Sequence, residues 1–359
     1  MNTTNNKRLL SLDILRGITV AGMILVNNGY GPSFEMLGHS KWNGMTPCDL
    51  VFPFFLFIMG VSLYFSLVKT QFRPSAPVLF KIGRRTLLLF AIGLAIHWVD
   101  YAIEGDWLCF GHLRVWGVLQ RIALSYGIVA LFVLFIDHRW VVPTIVVLLV
   151  GYAAILLLGN GYAADASNIL ARVDLQLFGQ DHLYHKSPVD PEGLVGTISS
   201  VAHVLIGFYV GKTIRETKGL ADKVNRIFVI GALLVIGGYL LSYGLPLNKR
   251  IWSPSYVLVT CGLASLLLAL LMYYIDLRSC RRWYGFFHVF GVNPLFLYVT
   301  SELLAIILGH LGVSQIVFDA IHGVIGHPQT ASLCYALYFV GLNFLLGYLL
   351  YRRKIFIKL

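Results

Sequence analysis

The stretch GHSKWNGMTPCDLVFPFFLFIMG, residues 38–60, changes character half-way along. Its first half is a polar turn bounded by glycines and carrying His39, Trp42 and Asn43. After the single acid Asp49 comes a run of aromatic and aliphatic residues that continues to residue 67. A membrane-spanning helix needs about 20 mainly apolar residues. The segment therefore reads as a spanning helix with a titratable cluster at its mouth.

The rest of the chain repeats the apolar half of this pattern. Of 359 residues, 57% are hydrophobic and 13% charged, against about 25% charged in soluble domains. The mean hydropathy is +0.74. Ten apolar segments, near residues 10–29, 47–67, 85–102, 115–136, 140–158, 194–212, 225–244, 254–275, 285–308 and 331–351, predict an all-α polytopic membrane protein. The ninth is interrupted by Asn293 and Pro294 and carries Glu302. The N-terminal segment has no small-residue cleavage site and reads as a retained first helix. No internal repeat is visible, which weighs against a transporter built from inverted halves.

The net charge of +11 is spread between apolar runs rather than gathered on one face, so no nucleic-acid partner is expected. The five cysteines form no CxxC pair, and neither a metal site nor a disulfide framework is expected. The basic residues carry topological information instead. Ten spans place twenty Lys and Arg on the side of both termini; the opposite loops hold six, Lys41, Arg114, Arg172, Lys186, Lys249 and Arg250. This bias predicts cytoplasmic termini. Loops 30–46 and 159–193 then lie outside, as the acceptor side of a single transmembrane domain over residues 1–359.

Charged residues within apolar segments need a reason, because each costs about 2.5–3.5 kcal/mol at mid-bilayer. Asp13 and Arg16 stand one helical turn apart and can neutralise each other. Arg121 and Glu302 must find partners on other helices or on a ligand. His97 and His203 read as packing residues. His39 differs because it sits in a turn with Asp49 nearby in the chain. Histidine can take and return a proton near neutral pH, a carboxylate can hold its tautomer, and Asn27 or Asn28 could donate to a developing oxyanion. The alternative is a surface histidine beside an acid that merely starts a helix. Cys48 reads as packing, with a thiol nucleophile as the other reading.

Six segments in order, SLDILRG, the stretch 38–60, GVLQRIALSY, DPEGLVGTISS, LNKRIWSPSYV and GVNPLFLYVTSEL, resemble the membrane acetyltransferase family typified by heparan-alpha-glucosaminide N-acetyltransferase. The resemblance runs from the first helix to the tenth. It implies transfer of acetyl from cytosolic acetyl-CoA to the amino group of a terminal glucosamine, or a related amino sugar, across the membrane. It makes His39 the active histidine and Asp49 its acid, and matches the family's asparagine to Asn27 or Asn28. The chain begins at the first helix, without the outer N-terminal domain of the animal enzyme. It is thus expected to be a bacterial inner-membrane homologue with its active site facing the periplasm.

Under that resemblance the coenzyme's nucleotide is expected at a cytoplasmic rim of Lys81, Arg84, Arg85, Arg281 and Arg282, since arginine grips phosphate through two oxygens. Arg16 and Arg121 are expected along its path. Trp42, Asn43, Asp181, Asp190, Glu192 and Glu302 are the candidates for the acceptor. Direct transfer with His39 as base is favoured over an acetyl-histidine. Membrane lipids are expected partners, and a homodimer is left open. The competing readings are an O-acyltransferase of a polysaccharide or lipid hydroxyl and a sugar or lipid transporter.

Overall fold

A computed structural model describes residues 9–185, 187–280 and 284–357. Those residues form an all-helical protein with no strand beyond one isolated bridge. The helices are α1 (Leu10–Asn27), α2 (Val51–Leu67), α3 (Ala76–Ile103), α4 (Val118–Phe135), α5 (Val141–Leu158), α6 (Ile169–Phe178), α7 (Thr197–Glu216), α8 (Leu220–Ser242), α9 (Pro254–Leu271), α10 (Tyr284–Val292), α11 (Pro294–His310), α12 (Val313–Ile325) and α13 (Pro328–Arg352). Nine helical segments among the described residues are long and apolar enough to span a membrane. The successive helices α10 and α11 make a tenth candidate, bent by 84° at Asn293. Each expected segment has its counterpart.

Helix α7 lies at the centre, with 78% of its span buried, whereas α8 has 17% and faces outward. Lipid tails are as apolar as leucine, so helices associate by close packing of small residues rather than by hydrophobic exclusion. Helices α2 and α7 meet at Gly60 and Gly207. A Cβ at Gly60 would lie 2.2 Å from the Val204 carbonyl oxygen, and one at Gly207 2.3 Å from that of Phe57. Helices α1 and α10 meet in the same way at Gly17 and Gly291, where added Cβ atoms would come within 1.8 and 2.0 Å of backbone oxygens. These two crossings hold α2 against α7 and α1 against α10.

Two features depart from the sequence expectation. Helix α3 starts at Ala76 rather than near residue 85, because Pro77 occupies its first turn, where a missing N–H costs nothing. Lys81, Arg84 and Arg85 are therefore helical instead of sharing a loop; Lys81 and Arg85, one turn apart, share a face and Arg84 lies off it. Helix α12 also fills the region between the last two spans, which the sequence reading left without an element.

The loops after α1, α3, α5 and α8 are knitted together. The Trp42 indole donates to the Tyr162 carbonyl at 2.8 Å, and the Val115 amide donates to the His182 carbonyl at 3.1 Å. Trp42, Tyr162, Leu170, Val189 and Ile251 share one small apolar cluster beneath them. Asn168 caps α6 within the long loop by accepting from the Leu170 amide.

Candidate active site

The entry to α2 positions the central pair. Thr46 and Asp49 form a capping box around the turn Pro47–Leu50. The Thr46 hydroxyl donates to the Gly38 carbonyl at 2.7 Å, which folds the 38–46 turn back on the helix start. Asp49 is fully buried. Its Oδ2 accepts from the Ser40 and Thr46 amides, each at 3.1 Å. Its Oδ1 lies 2.8 Å from His39 Nδ1. The Tyr256 hydroxyl of α9 donates to the Asp49 carbonyl at 2.5 Å and pins the turn from below. The His39 side chain stays half-exposed.

A third group meets this pair. Lys249 Nζ lies 3.0 Å from His39 Nδ1 and 3.3 Å from Asp49 Oδ1. It is carried by the loop between α8 and α9, which is stitched to the histidine turn. The Gly44 amide donates to the Leu247 carbonyl at 2.7 Å, and Asn248 Nδ2 donates to Asn43 Oδ1 at 3.1 Å. Gly44 has φ +105°, a backbone conformation that needs glycine. Cys48 Sγ is 3.2 Å from His39 Nδ1, and the cysteine is buried.

These residues open on a cavity of about 860 Å³. Around one end stand Asn27, His39, Asp49, Arg114, Glu192 and Lys249; at the other end are Lys69, Thr70, Lys81, Arg85 and Ile357. Both ends of α2 line it, so it runs along a helix of 17 residues, about 26 Å. Between the ends the wall is largely apolar, with Phe55, Ile58, Met59, Leu119 and Ile122. Arg16 also lines the cavity, donating to Asp13 at 2.9 Å and to the Ser62 hydroxyl at 2.9 Å. Arg85 lies over the Tyr126 ring, 4.6 Å from its centroid.

The wall at the His39 end contains a charged cluster. Arg114 Nη2 donates to Asp190 Oδ1 and Glu192 Oε2, both at 2.8 Å. Burial opposes the Arg114 charge, but the two carboxylates overcome it and raise its pKa. Burial likewise opposes the Glu192 charge, yet Arg114, Arg121 and Lys249 hold its carboxyl below the ordinary range. Beside the main cavity a polar annex of about 190 Å³ is lined by Asn27, His97, Gln120, Glu192, Tyr298 and Glu302.

The profile of the family "Heparan-alpha-glucosaminide N-acetyltransferase, catalytic" matches residues 8–243. The chain belongs to this family. It is 28% identical to human heparan-alpha-glucosaminide N-acetyltransferase over an alignment covering 98% of this chain and 60% of the relative. It is 29% identical to the mouse protein, covering 83% of this chain and 54% of the relative. The chain thus spans less than two thirds of the length of these curated relatives.

Within this family member the expected residues sort by position. His39, Asp49 and Asn27 share the cavity, whereas Asn28 is buried and donates its amide to the Ile24 carbonyl at 3.0 Å. Lys81, Arg85 and Arg16 line the cavity, but Arg84 is exposed on another face of α3. Arg121 is not brought to it. It is fully buried, donates to the Gly193 carbonyl at 2.9 Å and lies over the Trp252 ring. Arg281 and Arg282 lie outside the described residues. Of the acceptor candidates, Glu192 lines both spaces and Glu302 the annex. Trp42, Asn43 and Asp190 hold loops together, and Asp181 is exposed away from the cavity wall. Lys249 was missed as a site residue although it lies in the motif LNKRIWSPSYV, because it is distant from His39 in the chain.

Proposed function

We propose that the protein is a transmembrane N-acetyltransferase that moves acetyl from acetyl-CoA, taken from the cytoplasm, to the amino group of an amino sugar on the outer face. The observation that carries this reading is the single cavity along α2, with a His–Asp pair at one end and basic side chains at the other. Its chemistry fits a long coenzyme. Lys69, Lys81 and Arg85 suit phosphates, the apolar middle suits a thin pantetheine arm, and His39 stands where the thioester would end. The human and mouse relatives, named for a glucosaminide, point to that acceptor class.

In this reading, both substrates bind together. Asp49 accepts from Nδ1–H of His39, which leaves the Nε2 lone pair to act as base. Nε2 takes the proton from the acceptor amine as its nitrogen attacks the thioester carbonyl. Asn27 donates to the developing oxyanion. The carbon–sulfur bond then breaks, and the thiolate of CoA recovers the proton from His39. Arg114 and Glu192 border the acceptor's approach.

The test is acetyl transfer in proteoliposomes, with radiolabelled acetyl-CoA on one side and glucosamine-ended acceptors on the other. Transfer by the wild type and its loss in His39→Ala, with acetyl-CoA binding retained, is the expected result. Retention of most activity by purified His39→Ala would overturn the assignment.

A further inference from the structure

Lys249 takes no part in the transfer step itself, yet it touches both members of the pair. Asp49 Oδ1 has two neighbours that can carry positive charge, His39 at 2.8 Å and Lys249 at 3.3 Å, and these are the cationic partners within 4 Å among the described residues. The carboxylate is fully buried. A buried charge without a counter-charge costs several kcal/mol, so something must neutralise it. Two backbone amides on Oδ2 contribute dipoles but no net charge.

We propose that Lys249 is a positioning residue that serves as the standing counter-ion of Asp49, and so releases His39 from that duty. With Lys249 in place the imidazole can remain neutral beside a buried carboxylate. In this arrangement Nδ1 carries its hydrogen toward Oδ1 at 2.8 Å, the Lys249 ammonium, 3.0 Å from Nδ1, gives its hydrogen to Oδ1 instead, and Nε2 keeps its lone pair. Without Lys249, His39 would be the sole cation available to Asp49. The pair would settle as imidazolium and carboxylate, and an imidazolium cannot take a proton from an amine.

The loop architecture supports a dedicated role. Gly44 and Asn43 hold Leu247 and Asn248 on the residues immediately before Lys249, and Asn248 in turn is fixed by Ser253 at 3.0 Å. The lysine side chain is only 14% exposed, so it is delivered to the pair and not left free on the surface. The other titratable group in contact with His39 is Cys48; Arg114, Tyr184, Glu192 and Arg250 face the same cavity from neighbouring elements. None of these forms an ion pair with Asp49 among the described residues.

This inference rests on the proposed role of His39 as base, and its test has one readout that does not need turnover. The neutral fraction of His39 can be followed against pH by carbethoxylation with diethylpyrocarbonate, scored by mass spectrometry of the His39 peptide in detergent-purified protein. In Lys249→Met the midpoint of His39 modification should move alkaline by about one pH unit, while Lys249→Arg keeps the wild-type midpoint. The acid limb of kcat/KM should move with it, a loss of about tenfold in transfer at fixed pH on that limb. An unchanged or acid-shifted midpoint in a folded Lys249→Met protein would overturn the proposal. So would a uniform loss of rate at every pH. If the wild type transfers no acetyl at all, the functional reading fails, and the modification midpoints still decide the counter-ion claim.

Discussion

Asn27 and Asn28 are adjacent in the chain and point to opposite environments. Asn27 lines the cavity that contains His39, and Asn28 turns back to hydrogen-bond the carbonyl of Ile24. Asn27→Ala should therefore lower kcat by about 100-fold, the scale of a lost oxyanion donor, and it also removes the hydrogen bond between Asn27 and the buried Glu302 carboxyl. Asn28→Ala should cost about 1 kcal/mol of stability and leave kcat near wild type. Turnover and thermal unfolding in detergent, measured on both variants, check the pair; equal kcat losses would count against the assignment.

Cys48 stands as close to His39 as a catalytic thiol would, but it is buried under the 38–46 turn. If His39 acts as base on the incoming amine, Cys48→Ala should keep more than about half of wild-type transfer. Complete loss in a folded variant, or an acetylated Cys48 trapped without acceptor, would move the covalent step to sulfur.

Lys81 and Arg85 line the far end of the cavity, and Arg84 does not. The double variant Lys81→Glu, Arg85→Glu should weaken acetyl-CoA binding by at least about tenfold through lost charge-assisted contacts. Arg84→Glu should change it less than about twofold. Equilibrium binding of labelled acetyl-CoA to purified protein separates them, and equal effects would show general electrostatics instead of a site.

Asp174 offers a pH-dependent stability test away from the chemistry. Its Oδ1 accepts from the Leu194 amide at 3.0 Å, and Oδ2 has no hydrogen-bond partner among the described residues. Burial pushes its carboxyl up from 3.8 to about 6. A raised acid favours the protonated folded state, so its contribution is present below about pH 4 and is lost as pH rises to about 6, at most about 3 kcal/mol. Asp174→Asn should flatten this slope. The melting temperatures of the two proteins should differ in the way they change between pH 4 and 6, and parallel curves would contradict the burial argument.

How far the sequence could be read depends on distance along the chain. His39 and Asp49 were legible because ten residues separate them and the turn between them is short. The spans were legible because apolar length is a local property. Lys249 was not, since its place at His39 depends on how the α8–α9 loop is stitched across the site. The three basic residues of α3 looked equivalent until Pro77 started the helix early and turned Arg84 away. Arg121 could have faced a ligand or the protein interior; its bond to Gly193 and the Trp252 ring beneath it decide for the interior. Asn293 and Pro294 announced an interruption but not its size, an 84° bend.

A passage along α2 poses an insulation problem that a surface enzyme never faces. Its middle is walled by Phe55, Ile58, Met59, Leu119 and Ile122, and hydrophobic constrictions resist wetting and so block ions. If the proposed function holds, the same apolar stretch that suits a slender thioester arm would also resist wetting and keep ions from leaking across between turnovers.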